Sequence, residues 1–522
     1  MGTSENIVML NGHFITNEAR ESVARAVALS DGKIVAVGNE CDVKSWISTD
    51  TRVINCQNFV VIPGFIDAHM HPFSQARNKN NVNCDHYHAS SVREIISLLR
   101  EQASHSSANE WVIGYGYDYD YLPSHEILDR RQLDLASVKH PIKLIHRSGH
   151  MTIMNSKALE FANINCDTPD PISGVIGRYD GSNIPNGILI DCEGFIRDRL
   201  GHTMNHQQFF KAMASTNESL AKRGITSIQD AGYTNNKAHW NTFVDLIEAN
   251  VWTLKTTMMV GLDSIEDFNS EGLTYGSSRD LLRVGHAKIM LGSTTGSLIP
   301  SQQELHYQVS NSHQLGFPVA IHAVEAEAVE VAAEVLTDLH KGRNIPFDHY
   351  DRIEHCSEAP KKIIDKVANS HAMVVTQPGF LYWRREQYRA TVDQTLQPDL
   401  YPVHELARKR IPYAFSSDAP VIDPNPWCGI DAILNGAPPF NRGILPTSAP
   451  IFNRLQEAIY PYTMGGAFSE NTNHEKGSIA LGKKADLAIF PWTPGKDLPS
   501  PESHYSILTM RDGVILHDEL TL

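Results

Sequence analysis

The segment VIPGFIDAHMHP, from Val61 to Pro72, decides how this chain folds, because it has the pattern of a short buried strand that ends in two histidines. Side chains along a strand alternate between its two faces, so His69 and His71 are predicted to point to the same side. Two imidazoles that leave one strand end together form the beginning of a metal site. The other ligands must then come from elsewhere in the 522-residue chain.

The composition is that of an ordinary globular protein, with 41% hydrophobic and 20% charged residues, and the chain is long enough for a large core. The formal charge of −15 argues against nucleic acid or an anionic membrane surface as the main partner. Neither a membrane span nor a signal peptide is expected from the apolar pattern. The seven cysteines show no CxxC spacing, which indicates reduced thiols and a cytoplasmic protein.

Both ends of the chain have the pattern of β structure. Dipeptides typical of type I′ hairpins lie between apolar runs at Asn11-Gly12, Asp31-Gly32 and Asp512-Gly513. Two β regions at opposite ends of a chain can combine into one small sandwich. Residues 1–58 and 469–522 are therefore predicted to form a β-sandwich domain.

Between about residues 59 and 468 the sequence pattern is different: apolar strand-like runs alternate with helical patterns. Alternation over this length predicts an α/β fold with a parallel sheet, here a (β/α)8 TIM-like barrel. The strand–helix alternation is less regular over about residues 73–205, which we interpret as an insertion after the first barrel strand.

Functional side chains of a parallel barrel lie at the carboxyl ends of its strands. Besides the two histidines, four polar residues lie in or directly after apolar runs: Lys288, His322, His355 and Asp418. A polar side chain in such a run is costly unless a partner or a metal satisfies it. Taken singly, a strand histidine is more often a hydrogen-bonded core residue. The ordered appearance of the whole set favours a metal site.

Several motifs resemble a known family. PGFIDAHMH, RIEH, SSDAP and GSIALGKKADLAIF are similar to the amidohydrolase superfamily, and GHMTIMNSKAL, GITSIQDAG and TQPGF narrow the resemblance to the amidohydrolase 3 family. The resemblance covers nearly the whole chain. It implies a (β/α)8 barrel with a small β-sandwich built from both termini.

The resemblance also implies two divalent metal ions, commonly zinc. The implied ligands are His69, His71 and Asp418 for the first metal, His322 and His355 for the second, and Lys288, carboxylated by CO2, as the bridge between them. The implied nucleophile is a hydroxide that bridges the two metals. Asp418 would take the proton from the attacking water and return it to the leaving nitrogen.

Four further residues are candidates for contacts with the substrate. His150, in a Ser-Gly-His sequence, is a candidate catalytic residue that contacts the substrate or its oxyanion. Asn155, Gln377 and Trp383 are candidates for substrate binding.

The expected function is hydrolysis of a C–N bond in a small molecule: an amide, an N-acyl or N-formyl amine, an anilide, a urea or a carbamate. Two alternatives stay open: a mononuclear aminohydrolase that deaminates a heterocycle and needs no bridging Lys288, and a non-catalytic scaffold of the same fold. Histidine and carboxylate ligands do not distinguish zinc from manganese, iron, cobalt or nickel. The substrate and the formation of a homo-oligomer are also left open.

Overall fold

The structure is a computed structural model that describes residues 6–18, 23–79, 81–86, 88–122, 127–171, 174–200, 205–292, 297–341, 349–436 and 451–520. The chain forms two compact units, one of residues 1–72 and 214–522 and the other of residues 73–213. Among the described helices, none combines the length and apolar character needed to cross a membrane.

The N-terminal part of the first unit consists mainly of short strands. These are β1 (Ile7–Leu10), β2 (His13–Ile15), β3 (Val23–Ala24), β4 (Ala26–Ser30), β5 (Lys33–Gly38), β6 (Arg52–Asn55), β7 (Val60–Pro63) and β8 (Phe65–Met70), with helix α1 (Glu40–Val43) and a 3-10 turn at Lys44–Trp46. β8 carries the quoted His-x-His segment and is buried along its whole length.

The second unit is built around one mixed sheet. Its strands are β9 (Val82–Asn83), β10 (Val112–Tyr117), β11 (Ile142–His146), β12 (Met151–Met154), β13 (Val175–Arg178) and β14 (Pro185–Ile190), in the order β13-β14-β12-β11-β10-β9. The helices of this part of the chain are α2 (Pro72–Asn78), α3 (Val92–His105), α4 (Arg130–Asp134), α5 (Ser156–Phe161), α6 (Glu193–Leu200) and α7 (His206–Lys222), with a 3-10 turn at Tyr119–Tyr121.

The chain then completes a barrel that began at β8. The following strands are β15 (Ile225–Asp230), β16 (Lys255–Gly261), β17 (Ser278–Arg279), β18 (Leu282–Met290), β19 (Val319–Ala323), β20 (Arg352–His355), β21 (Met373–Thr376) and β22 (Tyr413–Phe415). Seven of them, all except β17, pair in parallel with β8 in the order β22-β21-β20-β19-β18-β16-β15-β8. Backbone hydrogen bonds from Asp418 N to His69 O and from His71 N to Ala419 O, both 2.8 Å, link the two ends of this sheet. The predicted barrel is therefore confirmed as a nearly closed parallel sheet of eight strands.

Helices separate the barrel strands, as strand–helix alternation predicts. They are α8 (Lys237–Glu248), α9 (Ile265–Ser270), α10 (Gln302–Gln314), α11 (Ala326–His340), α12 (Lys361–Asn369), α13 (Gly379–Trp383), α14 (Arg385–Thr391), α15 (Val403–Lys409), α16 (Pro426–Leu434), α17 (Ile451–Ile459) and α18 (Met464–Phe468), with 3-10 turns at Leu262–Ser264, Gln397–Asp399 and Tyr460–Tyr462. Strands such as β15 and β20 are buried along their whole length because the barrel covers both of their faces.

The last strands of the chain return to the N-terminal ones. β23 (Leu487–Phe490), β24 (Leu508–Arg511) and β25 (Val514–Asp518) follow a sheet order of β25-β24-β23-β7-β2-β3, and a second sheet has the order β5-β4-β1-β6. A 3-10 turn at Pro501–Ser503 precedes β24. Residues of both sheets share one hydrophobic cluster. They nevertheless belong to the same compact unit as the barrel, so a separate β-sandwich domain is not confirmed, and its boundaries stay a prediction.

Two of the three hairpin predictions are confirmed. β4 and β5 pair antiparallel across Asp31-Gly32, and β24 and β25 do so across Asp512-Gly513. In both turns the two residues have φ between 47° and 72°, as a type I′ turn requires. The prediction at Asn11-Gly12 is wrong, because β1 pairs with β4 and β6 whereas β2 pairs with β3 and β7.

Candidate metal centre

The carboxyl ends of the barrel strands bring the six predicted ligands into one region. His69 lies in β8 with His71 just beyond it, Lys288 lies in β18, His322 in β19, His355 ends β20 and Asp418 follows β22. The imidazole centroids of His69 and His71 are 5.5 Å apart, those of His69 and His355 4.7 Å, and those of His322 and His355 4.4 Å. Residues that are distant in sequence thus form one compact cluster.

His69, His71 and Asp418 have the geometry of a metal site. Their ligand atoms all lie within 4.8 Å of one another. The distances from Asp418 Oδ1 to the two imidazole Nε2 atoms are 3.2 Å for His71 and 3.5 Å for His69. Two ligands bound at about 2.0–2.1 Å to one tetrahedral zinc ion lie about 3.3 Å apart. The donor types and spacing of these residues therefore fit one divalent ion.

Lys288 and His355 supply buried polar atoms that the rest of the described chain leaves unpaired. Neither the Nζ atom of Lys288 nor the Nε2 atom of His355 has a hydrogen-bond partner among the described residues. Lys288 is only 2% exposed. An unpaired buried amine or imidazole nitrogen is costly, so these atoms are suited to a ligand that the protein itself does not provide.

The backbone at two of the candidate ligands, His355 and Asp418, adopts a left-handed conformation, which residues with a Cβ disfavour. φ is 71° at His355, 49° at Cys356 and 58° at Asp418, all in the left-handed region. Such a residue stores about 1–3 kcal/mol of strain and persists only where its surroundings determine it. Strain at two candidate ligands is typical of a functional site.

Burial sets the charge state of the cluster. It lowers the pKa of the His69 and His355 imidazoles, which favours the neutral form that binds metal. Burial also lowers the pKa of the Lys288 amine to about 8, although the nearby Glu354 and Asp418 carboxylates oppose this shift. Burial alone would raise the pKa of Asp418, but the hydrogen bond from His71 and the charge of His355 outweigh it and hold that pKa below its usual value.

Two residues predicted to bind substrate have other partners in the structure. The amide of Asn155 accepts hydrogen bonds from Ile142 N and Ala158 N and donates to Ser137 O and His140 O. It is fully buried and caps α5, and its role toward a substrate stays a prediction. Gln377 accepts a hydrogen bond from His355 Nδ1 at 3.0 Å. It supports a candidate ligand, because its side chain is buried and committed to that bond.

The structure gives the positions of the other two predicted contact residues, His150 and Trp383. His150 belongs to the second unit, where its 58% exposed imidazole bonds Asp191 Oδ1 through Nδ1 at 2.7 Å. Trp383 ends α13 and packs edge-on against Tyr382 at 5.3 Å. Their roles toward a substrate stay predictions.

Sequence reasoning missed two carboxylates of this region. Glu354 is fully buried in β20 and accepts a hydrogen bond from His69 Nδ1. Asp230 ends β15, and its Oδ2 atom has no hydrogen-bond partner in the described part of the chain. Burial raises the pKa of Asp230 to about 6, while His71 and Lys288 act in the opposite direction. Both residues lie in motifs quoted above. Glu354 is the last but one residue of a buried strand in RIEH, and Asp230 is the last residue of a buried strand in GITSIQDAG.

The comparisons with known proteins agree with this geometry. N-substituted formamide deformylase of Arthrobacter pascens is 25% identical to the chain, over 99% of each sequence. Protein LONG AFTER FAR-RED 3 of Arabidopsis thaliana is 23% identical over 94% of this chain and 88% of its own length. The crystal structure of an uncharacterized metal-dependent hydrolase from Pyrococcus horikoshii has a TM-score of 0.74 at 20% identity and covers 96% of this chain and 99% of that one. That structural likeness shows the fold.

A family model gives the assignment. The model described as the amidohydrolase family, of the amidohydrolase 3 type, matches residues 52–517. This match includes every predicted metal ligand and nearly the whole chain. The chain therefore belongs to the amidohydrolase family.

Proposed function

We propose that the protein is a metal-dependent hydrolase that cleaves a C–N bond in a small molecule. The observation that carries this proposal is the convergence of His69, His71 and Asp418 ligand atoms within 4.8 Å at the carboxyl ends of the barrel strands. Catalytic groups of this fold lie at that end. Family membership supports the same chemistry.

The centre is proposed to hold two divalent ions, with zinc as the expected metal. His69, His71 and Asp418 hold the first ion, and His322 and His355 the second. Lys288 would bridge them as a carbamate, which forms when its neutral amine adds to CO2 and releases a proton. The unpaired Nζ atom and the pKa of about 8 support this step, because a substantial neutral fraction exists near physiological pH.

The metal ions, Asp418 and His150 are proposed to have different roles in the reaction. Divalent ions at this site supply Lewis acidity, which activates a water molecule and polarises the scissile carbonyl. Asp418 takes a proton from the attacking water and delivers it to the leaving nitrogen. Its lowered pKa keeps it ionised at neutral pH, which is the form that a proton acceptor requires. His150, whose Nδ1 is held by Asp191, is proposed to contact the substrate through Nε2.

The substrate class is proposed to be an amide, N-acyl or N-formyl amine, anilide, urea or carbamate. The similarity to an N-substituted formamide deformylase over nearly the full length of both chains supports N-formyl amines as the first class to try. A small molecule, rather than nucleic acid, also agrees with the formal charge of −15.

The test is metal content per chain, measured by elemental mass spectrometry, together with a hydrolysis screen of these C–N compounds. Two equivalents of metal and hydrolysis of at least one class would support the proposal. About one equivalent, unchanged in Lys288→Met, would favour a mononuclear centre instead. No metal after reconstitution with zinc and bicarbonate would overturn the proposal.

Lys288→Met sharpens the test because Met has a similar length but cannot form a carbamate. It should lose one metal equivalent and at least about 100-fold in turnover, since a carboxylate-like bridge is gone. Lys237→Met is the control, because this lysine pairs with Glu271 at 2.7 Å and none of its contacts among the described residues involves a predicted ligand. Equal metal content in all three proteins would remove Lys288 from the bridge.

A further inference from the structure

A buried chain of polar side chains lies behind the first metal position. His69 Nδ1 and Glu354 Oε2 form a hydrogen bond between side chains that are about 1% exposed or less. Glu354 has no access to solvent, so this bond is not shared with water. The other ring nitrogen, Nε2, faces Asp418.

Arg352 holds Glu354 in place from the same strand. Its Nε donates to Glu354 Oε1 at 2.7 Å and its Nη2 donates to Glu354 Oε2 at 3.0 Å. Residues two apart on a strand share a face, which explains why the two side chains meet. A bidentate pair of this kind fixes the plane of the carboxylate as well as its position.

The guanidinium is itself anchored across the barrel. Nη2 also donates to Ala68 O, the residue before His69, at 2.9 Å, and Nη1 donates to Gln229 Oε1. Gln229 in turn donates to Gly466 O at 3.1 Å and to Ser469 Oγ at 2.7 Å. The network therefore ties β8, β15 and β20 together beneath His69.

This network determines which nitrogen of His69 carries the proton. Glu354 accepts two bonds from Arg352, so it is an ionised acceptor and His69 Nδ1 must be the donor. The neutral imidazole then presents an unprotonated Nε2, which is the form that binds a metal.

We propose that Glu354, braced by Arg352, is a positioning residue that holds the His69 imidazole with Nδ1 protonated and Nε2 directed at the metal. The inference rests on the metal centre of the proposed function and assigns a role to two residues outside the ligand set. Without this contact, the ring can rotate or exchange its tautomer, and both changes weaken metal binding.

His355 has a support of different chemistry. Its Nδ1 donates to Gln377 Oε1 at 3.0 Å, and Gln377 Nε2 donates to Ser416 Oγ at 3.0 Å. Ser416 Oγ faces Thr376 O at 3.5 Å, which fixes the direction of this chain of bonds. One histidine is thus supported by a carboxylate and the other by a neutral amide. A carboxylate raises the basicity of the imidazole more than an amide does.

The experiment measures metal affinity and coordination independently of turnover. Apoprotein is loaded with Co²⁺ in competition with a chromophoric chelator, and the visible Co²⁺ spectrum is recorded. Glu354→Gln should weaken binding at the His69 position by about 10–100-fold and change the spectrum, because an amide replaces the carboxylate behind His69. Gln377→Glu should tighten binding at the other position.

The matched control is Glu470→Gln. Glu470 is as buried as Glu354 and pairs with Lys476 at 2.6 Å, but none of its contacts among the described residues involves a predicted ligand. It should leave the Co²⁺ affinity and spectrum of the folded protein unchanged. A structural role for Glu354 alone would predict the same behaviour in both variants.

Glu354→Gln leaves the buried Arg352 charge without its partner and can prevent folding. The double variant Arg352→Met/Glu354→Gln removes both charges, which is often tolerated in a core, and it should show the same loss of affinity. Wild-type affinity and spectrum in the folded double variant would overturn the inference. A wild-type protein that binds Co²⁺ but hydrolyses none of the C–N compounds would overturn the proposed function alone.

Discussion

The two ends of the barrel both carry buried polar clusters, but only one of them is internally complete. At the amino-terminal end, Asp351 accepts bonds from His313 Nε2 at 3.0 Å, from His340 Nε2 at 2.9 Å and from Val319 N at 2.8 Å. At the carboxyl end, Lys288 Nζ, His355 Nε2 and Asp230 Oδ2 have no hydrogen-bond partner among the described residues.

The difference separates stability from function within one fold. A buried polar atom without a partner costs about 1–3 kcal/mol, and left-handed backbone at His355 and Asp418 adds strain. A paired cluster such as that of Asp351 incurs no such cost. The barrel therefore keeps a closed network where its strands begin and an open set of donors and acceptors where they end, where ligands bind.

The largest expected effect comes from changing the charge of the open cluster. Asp418→Asn keeps the shape of the side chain but removes the proton acceptor, so turnover should fall by about 10²–10⁴-fold. Much of the metal should remain, because the histidine ligands are unchanged. Steady-state kinetics on the best substrate and elemental analysis measure the two quantities.

Asp423→Asn is the control for this change. Asp423 lies five residues further along and forms an exposed pair with Arg223 at 2.8 Å, so turnover should not change. Wild-type turnover in Asp418→Asn would remove Asp418 from proton transfer and would leave the two ends of the barrel chemically alike.

The closed cluster should respond in stability. Asp351→Asn leaves His313 and His340 facing an amide, and breaking a buried ionic network of this kind costs about 3–5 kcal/mol. Chemical denaturation should show this loss, while metal content per folded chain stays at the wild-type value. Asp338→Asn, an exposed helix pair with Lys341, should leave the denaturation midpoint unchanged. Loss of metal in folded Asp351→Asn would show that the two clusters are coupled.

The open cluster was largely predictable from local sequence. An ionisable residue that ends an apolar run stands out whatever the rest of the fold, which identified His69, His322 and Asp418. Glu354 escaped because it precedes His355, and alternation along a strand places neighbours on opposite faces. The positive φ of His355 breaks that alternation, and a single sequence does not reveal it.

The supporting residues were harder to assign because a sequence does not show which groups a polar side chain is hydrogen-bonded to. Asn155 and Gln377 occur in motifs that suggest substrate contact, yet one caps a helix and the other holds a histidine. The hairpin at Asn11-Gly12 failed for a related reason. The turn dipeptide is local, but β1 and β2 are drawn into different sheets by strands far along the chain.

Acid should weaken the closed cluster in a defined range. Burial opposes ionisation of Asp351, but the hydrogen bonds from His313 and His340 prevail and hold its pKa below the usual value. Its contribution to stability is therefore complete above about pH 4, the unfolded value, and is lost as pH falls through the folded value. The difference in unfolding free energy between wild type and Asp351→Asn should shrink as pH falls below about 4. A difference that grows in acid would contradict the assignment of Asp351 as the ionised partner.

The smallest expected effect is a trade of activity for stability at Asp230. Asp230→Asn removes a buried charge whose Oδ2 atom has no partner in the described chain, so the unfolding free energy should rise by about 1 kcal/mol. The same carboxylate interacts electrostatically with His71 and Lys288, and kcat/KM should fall by about tenfold because the centre loses a negative charge beside two of its predicted ligands. Denaturation and kinetics on one preparation measure both, with the exposed Asp263→Asn as the control that should change neither. A loss of stability in Asp230→Asn would mean that its carboxylate is paired as completely as that of Asp351. Of the three unpaired atoms named at the carboxyl end of the barrel, only those of the predicted ligands Lys288 and His355 would then remain.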